Sequence, residues 1–250
     1  LAPVPQDVLA DLAALGPFFA VDAHQPGADP AAPWRPLREL IDEPEVMLDR
    51  IGSVRAALAR RGGRRADEIE LRVAASVLHL GLVARLIAPA LAALADQHRL
   101  DMRLGELWWQ DTLGGPVPLS VPVGDDPGRG ENRGENRGRS AEQYCHRLVE
   151  DVIAPVTSTL AGLVPVSRRV LWGNVASAVN SAARQVTAQR ADPGSPAWTI
   201  AAAFLSSPWL ARERQPPGPG FRRSSCCLIY RIAADRAGGI CGDCIFGSAP

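Results

Sequence analysis

Apolar residues recur every three or four positions through most of the first 210 residues, and that spacing predicts a mainly α protein with a few short strands. Pro5 to Leu15 reads as a short opening helix. Asp42 is placed to cap a helix that carries Pro44 in its first turn and Met47, Ile51, Val54 and Leu58 on one face, and Gly62 and Gly63 stop it. The next helix is expected to open at Asp67 and Glu68. It is apolar on nearly every side as it passes Val77, Leu80 and Val83, which predicts a place at the centre of a bundle. The stretch Leu71 to Ala95 is interrupted by Arg72, His79, Arg85 and Pro89, so it falls short of the roughly 18 unbroken apolar residues of a spanning helix, and burial in protein is expected.

Between Leu104 and Val123 the helical pattern lapses. Trp108 and Trp109 precede GGPVPLSVPV, which suits one or two short strands or extended loops. Residues 124–139 repeat ENRG twice without a large apolar side chain and are expected to form a disordered surface loop. Ala141, Tyr144, Cys145, Leu148, Val149, Val152 and Ile153 then share one helical face, with Pro155 expected to bend or end the helix. A further helix from Ser167 carries Val170, Leu171, Val175, Val179, Ala182 and Val186 up to ADPG, and Ser195-Pro196 opens the last one, through Trp198 to Leu205. ERQPPGPG reads as a linker. The chain is thereby divided into a helical body, residues 1–211, and a C-terminal segment, residues 212–250.

Composition changes this picture little. The 250 residues carry a formal net charge of zero, so no global field favours nucleic acid or an anionic membrane, and no nucleic-acid partner is expected. All 27 basic residues are arginine. The opening LAPVPQDVLADLAALG has no basic region ahead of its apolar residues, which gives the expectation of a reducing cytoplasmic setting.

Cysteine is the exception. Four of the five cysteines, Cys226, Cys227, Cys241 and Cys244, fall within nineteen positions as C-C-x13-C-x2-C. A disulfide framework requires an oxidising compartment. A redox C-x-x-C explains Cys241 and Cys244 but leaves the adjacent pair idle. A zinc site takes four thiolates, yet neighbouring cysteines chelate one tetrahedral ion poorly. An iron–sulfur cluster also takes four thiolates and, being a larger object, tolerates more varied spacing. Gly238, Gly239 and Gly242 would let backbone approach the sulfurs and donate N–H groups to them.

RRSSCCLIYR followed by GGICGDC resembles the C-terminal motif of the FhuF-like ferric-siderophore reductases, and LWGN at 171–174 is similar to a segment that family carries upstream. The resemblance implies a [2Fe-2S] cluster held by Cys226, Cys227, Cys241 and Cys244, which passes one electron to ferric iron in a siderophore and so releases it. It implies a ferric siderophore as partner; with no G-x-G-x-x-G fingerprint after a strand, the electron donor is expected to be an external flavin or iron–sulfur reductase rather than bound NAD(P)H. Transient docking beside an inner-membrane importer is compatible with it. The family pattern has ten residues between its pairs where this chain has thirteen; on logarithmic closure scaling that costs a fraction of a kcal/mol. A zinc-stabilised interaction protein and an iron–sulfur carrier or sensor are the alternatives.

Arg222, Arg223 and Arg231 are candidates for tuning the cluster or attracting an anionic ferric complex. Cys145 is expected to act as a small core hydrophobe, His79 as a satisfied core histidine and His146 as an exposed one. Trp108 and Trp109 could wall a siderophore pocket but suit core packing better, and Trp172 and Asn174 are candidates for the surface that receives the cysteine segment.

Overall fold

The computed structural model describes residues 6–123, 141–191, 195–213, 215–232 and 241–245. The expected loop at 124–139 lies outside them. Eight helices in the described residues follow the apolar periodicity: α1 Gln6–Ala14, α2 Glu39–Asp42, α3 Pro44–Arg61, α4 Leu71–Ala95, α5 Ala141–Leu148, α6 Ala154–Leu163, α7 Arg168–Arg190 and α8 Pro196–Leu205. Four short strands join them: β1 Asp22–His24, β2 Arg35–Pro36, β3 Trp108–Trp109 and β4 Leu119–Pro122. The protein is mainly α with one small sheet, in the order β1-β4-β3-β2, of which only β1 and β4 run parallel.

Helix α4 lies at the centre, packed against α3, α7 and α8. By length and composition it could cross a membrane, but 78% of that apolar stretch is buried inside the protein. Its all-round apolar surface therefore meets other helices, as expected of a core helix. Pro89 does not interrupt it. The helix opens at Leu71, after a separate 3-10 turn at Ala66–Glu68, rather than at Asp67 and Glu68. At α3 the capping position falls on Glu43, with no side-chain cap bond, rather than on Asp42. The expected caps at Ser167 and Ser195 are present: each hydroxyl accepts from the amide two residues on, Arg169 N and Ala197 N.

Pro155 does not end the helix. A π-helical turn, Val149–Ile153, joins α5 to α6, and Ala154 N donates to Val149 O. The wider turn falls where the missing Pro155 N–H and its ring would otherwise disrupt the ladder.

Two buried polar clusters fix the sheet to the helices. Trp109 is fully buried and donates its indole N–H to Glu39 Oε1 at 2.8 Å, with the Arg35 and Arg50 guanidinium groups 5.6 Å from its ring centroid. It is a core residue, not a pocket wall. Arg85 of α4 donates to Val117 O and Ala20 O, both at 2.6 Å, and to Phe18 O. One side chain thus satisfies the chain entering both parallel strands. Burial lowers the Arg85 pKa to about 10. Arg85→Met, which strands those carbonyls, should lower unfolding stability by at least about 3 kcal/mol in urea titration, whereas a loss under about 1 kcal/mol would show the clamp to be dispensable.

Candidate functional site

The segment after α8 does not hang free as a linker. Asn180 of α7 accepts the Gly218 N–H at 2.8 Å, Phe221 is buried in the main core, and Leu228 and Ile232 pack on a small cluster of Ala59, Ile69 and Val73. Residues 215–232 therefore run as a strap over α7 and across the facing ends of α3 and α4. The cysteines lie on it and on the turn at 241–244, where Cys244 N donates to Cys241 O at 3.1 Å.

The strap brings together thiols that are far apart in sequence. Cys227 Sγ and Cys241 Sγ are 3.5 Å apart, one from each pair. Two thiolates bonded at 2.3 Å to one tetrahedral ion would stand about 3.8 Å apart. Cys226 feels the charges of both Cys227 and Cys244, which puts these thiols in one neighbourhood, the cysteine corner. Cys227 and Cys244 are buried and the other two half-buried. All are free thiols. Among the described residues no group of three or more histidine, cysteine or acidic side chains is already set at metal-holding distance.

Backbone donors reach two sulfurs, though not from the expected glycines. Leu228 has φ +68°, a left-handed conformation unusual for a branched side chain, directly after Cys227. That turn aims the Leu228 N–H at Cys226 Sγ, 3.3 Å away, and the Ile229 N–H toward Cys227. Gly242 is exposed and contributes no such bond, and Gly238 and Gly239 lie outside the described residues.

Beneath the sulfurs sits Arg223, 2% exposed. Its backbone N–H donates to Asp243 O at 3.0 Å, its Nε to Ser225 O at 3.1 Å and its Nη2 to Asn174 Oδ1. Asn174 Nδ2 passes the network on, donating to Ser76 O at 3.0 Å and Ser76 Oγ at 3.2 Å, and Ser76 Oγ donates to Cys227 O at 2.8 Å. A closed circuit of α4, α7, strap and cysteine thus holds the site, and among the described residues no carboxylate pairs with the guanidinium. LWGN is the α7 face that receives it. Leu171 is buried, Trp172 stacks on Trp209, and Asn174 joins the circuit. Gly173 allows close approach, since a Cβ there would stand 2.3 Å from Ser225 Oγ, which donates to Arg169 O at 2.8 Å.

The charge of Arg223 favours thiolate at Cys226, Cys227 and Cys241, against the nearby Asp243 carboxylate at the last two. The hydrogen bond from Cys241 holds the Cys227 thiol below its usual pKa, and the same bond, with burial, pushes Cys241 up; the pair titrates together. Burial pushes Cys226 up, opposed by the Leu228 N–H.

His79 sits in the same core. Thr157 spends its one hydroxyl proton on Ile153 O at 2.6 Å, so it accepts from His79 Nε2 at 2.9 Å, and the imidazole is neutral with Nδ1 as its bare nitrogen. Burial, aided by the Arg223 charge, lowers its pKa to about 3. His79 Nδ1 and Arg223 Nη1 both lack a partner among the described residues, so the histidine is only half satisfied.

The other arginines differ in placement. Arg222 Nη1 donates to Cys244 O at 3.4 Å, pinning the C-x-x-C turn, and Arg231 is ion-paired with Glu70. Cys145 is fully buried, as its stripe predicts, and burial raises its thiol above the usual range. His146 is half-buried rather than exposed and shares a hydrogen bond of 2.9 Å with Ser206 Oγ. Sequence reasoning missed Ser76, whose only signal was a polar residue inside an apolar helix, and Trp209, which no motif marks.

No family model matches the chain, and no curated protein is similar to it at a significant level, so the FhuF-like resemblance rests on its motif residues alone.

The close approach at Gly173 yields a double-mutant test. Gly173→Ala should displace the Ser225 hydroxyl and cost about 1 kcal/mol or more of stability. Adding Ser225→Ala should recover part of that loss; strictly additive effects in denaturant titration would contradict the contact.

Proposed function

We propose that the protein is a cytoplasmic ferric-chelate reductase of the FhuF-like kind, holding a [2Fe-2S] cluster through Cys226, Cys227, Cys241 and Cys244 and taking ferric siderophores as substrate. The observation that carries the reading is that thiols from both ends of the motif, Cys227 and Cys241, stand 3.5 Å apart beside a buried arginine whose charge reaches Cys226, Cys227 and Cys241. An anionic tetrathiolate centre offsets the cost of burying that charge, which four neutral thiols or two disulfides do not. Zinc on the same thiolates would be anionic too. What favours iron and sulfide is the adjacent Cys226-Cys227 pair, poorly suited to one ion, together with the motif resemblance.

Such a cluster, when bound, supplies one electron at a time. The chain's residues hold and tune it: the Leu228 and Ile229 N–H groups aim at sulfur, and Arg223 favours added negative charge. Half-burial of Cys226 and Cys241 leaves one side of the corner near solvent, within reach of a bulky complex. Chelated Fe³⁺ takes one electron and becomes Fe²⁺, which hard oxygen donors hold far more weakly, so reduction releases the metal. An external flavin or iron–sulfur protein replaces the electron.

Protein purified without oxygen should carry two irons and two acid-labile sulfides per chain, lost in Cys241→Ser, and should reduce a ferric siderophore once chemically reduced. Zinc without sulfide would overturn the reading in favour of a structural centre, and a Cys227–Cys241 disulfide without metal would replace it with a redox dithiol.

A further inference from the structure

A cleft of about 400 Å³ opens beside the cysteine strap, lined by Arg168, Arg169, Trp172, Trp209, Arg212 and Glu213 among others. Its volume falls in the range of small-molecule sites. Trp209 is 44% exposed, among the most exposed large hydrophobic side chains described, and is held rather than loose: its ring stacks on Trp172 at 5.4 Å with 25° between planes. An exposed indole braced by a second indole is a rigid aromatic platform.

Three of the four charged residues in its lining are arginines. Among the described residues none of Arg168, Arg169 and Arg212 is paired with a carboxylate. The single acid, Glu213, is buried and accepts the Ser224 hydroxyl. A site with three guanidinium groups without a carboxylate partner among the described residues, and an indole face, selects an anion that carries flat rings.

The cleft also touches the cysteine strap. Arg169 donates from Nη2 to Ser224 O at 3.0 Å and accepts from Ser225 Oγ through its carbonyl, and these are the two residues before Cys226. From Ser224 to Cys226 the chain spans at most about 7 Å. A larger cleft, about 690 Å³ between α3, α4 and residues 113–117, has no strap residue in its lining, and its Arg50 is already paired with Asp111.

We propose that the cleft at Trp172 and Trp209 binds an anionic aryl-oxygen ferric chelate of the catecholate class, with a ring on Trp209 and its negative charge on Arg168, Arg169 and Arg212. Aliphatic hydroxamate chelates of Fe³⁺, neutral and without rings, use neither feature. That the bound metal is iron awaiting an electron rests on the reductase reading, whereas the ligand class rests on the cleft.

Gallium(III) separates the two because it is not reduced under these conditions. Calorimetric titration of the gallium(III) complex of a hexadentate tris-catecholate into the full chain should show saturable binding, weakened roughly tenfold or more in Trp209→Ala and in Arg212→Gln and less in Trp209→Phe. The gallium(III) complex of a neutral trihydroxamate should bind at least about tenfold more weakly than the tris-catecholate. Absence of tris-catecholate binding, equal affinity for the two complexes, or an affinity untouched by both Trp209→Ala and Arg212→Gln would overturn the proposal. Iron and sulfide measured on the same preparation keep the readings apart: a cluster with no chelate binding removes the cleft assignment alone, and chelate binding without cluster removes the reductase reading alone.

Discussion

Arg223 carries a fixed positive charge into a position only 2% exposed, and the C-terminal end of the chain is arranged around the need to accommodate it. Neutral oxygen acceptors take its N–H groups: the Ser225 carbonyl and the Asn174 side chain. Those bonds leave Nη1 without a partner among the described residues and do not offset the charge. The sulfurs of Cys226, Cys227 and Cys241 lie within its field, so the guanidinium and a set of thiolates stabilise each other. Folding and loading of the site are thereby linked, since an anionic centre would stabilise the conformation that buries the arginine.

The helical body makes this possible by presenting two polar residues from otherwise apolar surfaces. Ser76 of α4 and Asn174 of α7 are both buried, and they meet because the two longest described helices pack along each other. Each would be a liability alone. Together with the Cys227 carbonyl and Arg223 they form a closed hydrogen-bonded circuit in which Asn174 uses both amide hydrogens and its oxygen. The strap can then approach α7 closely only because residue 173 lacks a Cβ.

Much of the helical body was legible because its signals are local. The central α4 followed from all-round hydrophobicity, and the starts of α7 and α8 from Ser167 and Ser195. The misses were also physical. A π turn carried the helix past Pro155, which local rules read as a bend or an end, and a 3-10 turn took Asp67 and Glu68 away from α4. The proline-glycine segment read as a linker because its attachment to Asn180 and the core through Gly218 and Phe221 is long-range. At the site the cysteines and LWGN could be singled out, but the roles of the arginines could not. Arg222, Arg223 and Arg231 look alike in sequence, and only packing separates a buried charge from one pinning a carbonyl and one paired with Glu70.

The central claim is that Arg223 is electrostatically coupled to an anionic redox centre on the four cysteines. Its most direct test is a potentiometric titration of the anaerobically purified protein beside Arg223→Gln, a variant that keeps an amide donor near Asn174 while removing the charge. Loss of the guanidinium should destabilise the more negative reduced state, so the midpoint potential should fall while iron and sulfide remain bound. A redox centre whose potential does not respond to that substitution, or a wild-type protein with no titrating centre, would contradict the account.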